Sequence, residues 1–76
     1  MNNKRRKDIT KVMDDIGMLQ NRIDELRIEE MKYAENMPEN LQNSDRYKRA
    51  WECIRQLKYA CNIIDEAVAY LYYAAE

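Results

Sequence analysis

Residues 47–75 read YKRAWECIRQLKYACNIIDEAVAYLYYAA, and their apolar side chains recur with an unbroken three–four alternation: Tyr47, Ala50, Ile54, Leu57, Cys61, Ile64, Val68, Leu71 and Ala75. This spacing lays one apolar seam along an α-helix, as in a coiled coil or narrow helical bundle. The first half of the chain repeats it at Ile9, Val12, Ile16, Leu19, Ile23 and Leu26. Between the halves stands the only proline, Pro38, which lacks the amide hydrogen that a helix interior needs. Two seamed helices around one breaker predict an all-α fold, an antiparallel, coiled-coil-like two-helix hairpin.

Seventy-six residues make a single small domain. The expected boundaries are a basic flexible tail at 1–7, helix one over about 8–36, a loop at 37–44 and helix two over about 45–75. Lysines and arginines at 4–7 oppose the dipole of a helix N-terminus, which is the reason for reading a tail there; Asp8 or Asn3 would start the helix. With Ile9 at heptad position a, the expected seam of helix one is Ile9, Ile16, Ile23 and Glu30 at a and Val12, Leu19, Leu26 and Tyr33 at d. Met13 and Ala34 at e widen it, and Glu30 is its fault, expected to reach solvent or to pair with Arg27 or with a basic residue of helix two. Asn36 is the expected C-cap, Ser44 the N-cap of helix two, and Asp45 follows on the favourable end of that dipole. Met37 and Leu41 are expected to fold over the end of the pair as a plug. Gly17 falls at an outward position with no evident purpose.

Apolar residues remain after one seam is filled. Ile63, Tyr59, Tyr70, Tyr72 and Tyr73 surround the second half of helix two, and no charge occurs from Ala67 to Ala75. Cys53, Ala60, Ala67 and Ala74 share heptad position g, where small side chains admit a second helix backbone. A helix apolar on every side is buried on every side. The expected remedy is self-association into a four-helix bundle, most simply a two-fold dimer, with Cys53, Tyr59, Ala60, Ile63, Ala67, Tyr70, Tyr72 and Tyr73 at the interface. Another helical protein is the alternative occupant of that surface.

Chemistry finds few footholds. The chain has no histidine, so neither a Glu-x-x-His metal bundle nor an activated Cys or Ser nucleophile can be assembled. Cys53 and Cys61 lie eight residues apart on one helix, roughly 12 Å along its axis, too far for a bond to each other; each reads as a small buried apolar side chain. The doublets Asp14-Asp15, Asp24-Glu25 and Glu29-Glu30 point about 100° apart along a helix and belong to a solvated face. No glycine-rich phosphate loop occurs. The expectation is a protein that is not an enzyme, with no catalytic residues, no cofactor and no metal. The polar N-terminus and the charges that interrupt every apolar stretch before about 18 residues give neither a signal peptide nor a membrane span, so the expected location is the cytoplasm.

Net charge is −1, yet Lys4, Arg5, Arg6, Lys7 and Lys11 crowd one end, and Arg46, Lys48 and Arg49 open helix two. Phosphate contacts by these groups would make the chain a small nucleic-acid-associated regulator, the alternative to a protein-interaction and assembly module. The near-neutral balance and interleaved acids favour the module.

The segment ENMPENLQNSDRY, residues 35–47, resembles the connection in a family of small uncharacterised proteins of Gram-positive gut bacteria and their phages. Asn36, Met37, Pro38, Glu39, Leu41, Gln42, Ser44, Asp45 and Arg46 carry the likeness; the tyrosine-rich second helix departs from the acid-rich one usual there. The resemblance implies a helical hairpin without a known activity. It makes Glu39, Gln42 and Arg46 candidate recognition residues at the loop, against the competing reading that the loop is simply well capped.

Overall fold

A computed structural model describes residues 2–76. Helix α1 spans Asn3–Glu35, a single 3₁₀ turn covers Glu39–Leu41, and helix α2 spans Asp45–Ala74. The two long helices pack against each other, and the described residues contain no strand. The hairpin is a rod with Cα extents of 60 × 15 × 11 Å. Among the described residues no helix is long and apolar enough to cross a membrane.

Helix α1 begins well before Asp8, which corrects the expected tail at 1–7; Met1 lies outside the described residues. The Asn2 side chain accepts a hydrogen bond from the Arg5 amide at 2.8 Å, capping the first turn. Lys4 then pairs with Asp8 (3.5 Å) and Lys11 with Asp15 (3.8 Å), each one turn on. A cap and two such pairs offset the unfavourable dipole in residues 3–7.

The connection follows its residues closely. Asn36 ends α1, and its amide donates to the Lys32 carbonyl at 3.0 Å. The Leu41 amide returns to the Pro38 carbonyl at 2.8 Å. Ser44 Oγ donates to the Leu41 carbonyl (2.6 Å) and accepts from the Tyr47 amide (3.2 Å), so one hydroxyl closes the loop and caps α2. Met37 is buried, but Leu41 is exposed, so half of the expected plug points to solvent.

Helix α2 presents its seam as expected: every residue from Tyr47 to Ala75 in the series above is buried or half-buried. Helix α1 does not. Its a column (Ile9, Ile16, Ile23, Glu30) faces α2 together with the e column (Met13, Gln20, Arg27, Ala34), while Val12, Leu19, Leu26 and Tyr33 at d are exposed. The helix is rotated away from the expected a/d seam. Two features hold that rotation. Near the loop, Ala34 at e is fully buried against Ala50 and Ile54, where its small side chain brings the helices together. Midway along, Gln20 at e donates from Nε2 to Asp65 Oδ1 at 2.7 Å and to the Cys61 carbonyl at 3.3 Å. Arg27 pairs with Asp24 at 2.7 Å, not with Glu30, which stays half-buried with no ion-pair partner among the described residues.

Candidate interaction surface

The rotation of α1 creates the surface. At about 100° per residue, the d column of α1 lies roughly a quarter-turn behind the side that faces α2. On α2, the g column lies a quarter-turn behind the side that faces α1. Because the helices are antiparallel, equal backward rotations on both point to the same side of the hairpin. One broad face therefore carries Val12, Leu19, Leu26 and Tyr33 from α1, and from α2 the g column with Ile63 and Tyr70 at c. Leu19 is 63% exposed, Ile63 65% and Tyr70 77%. The opposite side carries Asn21, Asp24, Arg55, Lys58 and Asp65 together with the exposed Ile28 and Tyr72. Scattered exposed apolar residues are ordinary, but a continuous apolar face on one side of a small chain marks a contact surface.

Of the expected interface residues, Cys53, Ala60, Ile63, Ala67 and Tyr70 come together on this face. Cys53 is exposed there, which corrects its reading as a buried side chain; Cys61, on the seam, is half-buried. Tyr59 and Tyr73 lie at f, on the outer edge, and Tyr72 lies at e, toward the opposite side. Tyr72 and Tyr73 stack edge to face with ring centroids 5.9 Å apart. The four α1 residues of the face are absent from that expected set. Their signal was the width of the first stripe: apolar residues at a, d and e cover more than one neighbour can occupy.

At the loop end the face opens into a cavity of about 570 Å³ lined by Tyr33, Asn36, Met37, Pro38, Leu41, Ser44 and Arg46. Of the proposed loop recognition residues, only Arg46 reaches it. Gln42 turns its amide toward the Met37 carbonyl at 3.5 Å, and Glu39 is exposed in the 3₁₀ turn. Trp51 packs edge-on against Tyr47 (centroids 6.2 Å), and its Nε1 is buried without a hydrogen-bond partner.

The basic residues are separated. Lys4, Arg5, Arg6, Lys7 and Lys11 are exposed at the open end of the rod, and Arg46, Lys48 and Arg49 at the loop end. Within one hairpin they form no common patch. Among the described residues no group of three acidic or thiol side chains converges as a metal site would require. No protein-family model, curated protein or solved structure matches this chain.

Proposed function

We propose that this chain is a protein-interaction and assembly module, a helical hairpin that associates with itself through its apolar face to make a four-helix bundle. The observation that carries the reading is the outward d column of α1, which aligns with the c and g columns of α2 on one side of the rod. In such a bundle the a column of α1 and the d column of α2 form the centre. The e column of α1 then faces its own α2, and the d column faces a helix of the second copy. The a, d and e columns of α1 then each acquire a neighbour, which a lone hairpin cannot supply.

Sedimentation equilibrium across a concentration series tests the reading. The expected result is a two-chain particle, twice the 9.2 kDa of one chain, that dissociates on dilution. A stable, folded 9.2 kDa particle at every accessible concentration would reject it.

A further inference from the structure

We infer that the cavity at the loop end is a binding site for a small aromatic carboxylate, a ligand with a ring-bearing apolar body and one negative charge. The cavity is built within one chain, from the end of α1, the connection and the start of α2. The site therefore goes beyond the assembly module and is tested separately from it.

The sequence makes the cavity by stopping one helix and delaying the next. Pro38 cannot continue α1, and the 3₁₀ turn at Glu39–Leu41 intervenes before Ser44 starts α2. Tyr33 and Leu41 are left 45% and 46% exposed, whereas Met37, which also lines the cavity, is buried. The backbone around them is braced. The Leu41 amide reaches the Pro38 carbonyl at 2.8 Å, and Ser44 Oγ reaches the Leu41 carbonyl at 2.6 Å. A cavity held by such bonds is preformed, so a ligand does not have to order it. Its volume of about 570 Å³ is that of a small-molecule site.

The lining sets the chemistry of the ligand. Tyr33, Met37, Pro38 and Leu41 supply apolar walls. A tyrosine ring and a thioether sulfur both favour an aromatic neighbour. Arg46 is the one charged residue of the lining, and it has no ion-pair partner among the described residues. Arg22, Arg27 and Arg55, in contrast, each engage a carboxylate of their own helix. No acid lines the cavity to do the same for Arg46. Its planar fork matches the two oxygens of a carboxylate, and one guanidinium matches one unit of charge. An inorganic anion gains Arg46 alone, and an exposed ion pair is worth little. A neutral apolar molecule gains the walls alone. An aromatic carboxylate gains both.

The test is a titration of the isotope-labelled chain with phenylbutyrate, followed by amide NMR, with phenylbutanol as the neutral analogue. Phenylbutyrate is expected to shift the amides of Tyr33, Met37, Leu41 and Arg46 and to saturate with a dissociation constant on the order of a millimolar. Phenylbutanol is expected to bind there about three- to tenfold more weakly. Arg46→Gln removes that difference: it weakens phenylbutyrate by the same factor and leaves phenylbutanol unchanged. The titration is repeated with Leu19→Ala, whose weakened association prevents a second copy from hiding the cavity. No saturable shift at these amides in either chain overturns the site. Shifts centred on Leu19 and Ile63 overturn it too, as does an Arg46→Gln chain that binds phenylbutyrate as tightly as the parent. A 9.2 kDa particle that binds phenylbutyrate at the loop end rejects the dimer and leaves the site standing.

Discussion

Replacing Leu19 by alanine separates what the hairpin needs from what a second copy needs. In one chain the Leu19 side chain is 63% exposed, so most of its burial has yet to occur. Truncation removes three carbons, worth about 0.8 kcal/mol each when fully buried. About 1.5 kcal/mol per copy is thus still to be gained on association, and a two-fold contact counts it twice. The expected loss is about 2–3 kcal/mol per dimer, a roughly thirty- to 150-fold weaker dissociation constant. Within the isolated hairpin the same change costs under about 1 kcal/mol. Sedimentation equilibrium reads the first quantity, and urea unfolding at concentrations well below the dissociation constant reads the second. Ile16→Ala is the control: it sits half-buried on the seam and lowers stability in both measurements. A Leu19→Ala chain that associates within about threefold of the parent would show that the outward column of α1 is not covered by another copy, and the reasoning would fail.

Three further outcomes follow from individual residues. Gly17 sits mid-helix with nothing within 4 Å of where a Cβ would stand and without a positive φ, so Gly17→Ala stabilises the chain by about 1 kcal/mol in urea unfolding. Ser44→Ala removes the hydroxyl that caps α2 and closes the loop, and costs about 1 kcal/mol, read as a lowered Tm at fixed chain concentration. Cys53 is exposed on the face assigned to the second copy. Its alkylation by a thiol reagent is expected to slow as protein concentration rises, whereas a rate independent of concentration would place it outside the interface.

Much of this architecture is legible from residue spacing. The seam of α2, the break at Pro38 and the caps at Asn36 and Ser44 follow from local rules: period, missing donor and short polar side chain. That the two helices pack against each other follows from two seamed halves folded about the loop. The rotation of α1 does not follow, because the a and d columns are the apolar ones, while e holds Gln20 and Arg27 beside Met13 and Ala34. What decides among them is tertiary: the closeness allowed by Ala34 against Ala50, and a hydrogen bond from Gln20 to Asp65 that joins residues far apart in the chain. The start of α1 was hidden for another reason. Dipole repulsion argued for a tail at 1–7, but the cap by Asn2 and the Lys4–Asp8 pair outweigh a penalty of a few tenths of a kcal/mol per charge. The surface was half legible. Its α2 side showed as leftover tyrosine, isoleucine and alanine, and its α1 side was absorbed into a seam it does not join.

The buried residues Ala34, Met37, Ala50 and Ile54 all cluster at the turn, while the far end of the rod has only half-buried contacts. This asymmetry gives the chain a direction in time. Contacts near the turn close the shortest loops and lose the least entropy, so the two strands of the rod zip from the turn outward and unzip from the tips inward. Amide protons near Ile9 and Leu71 then exchange through cheap partial openings, and those around Ile54 only when the whole rod comes apart.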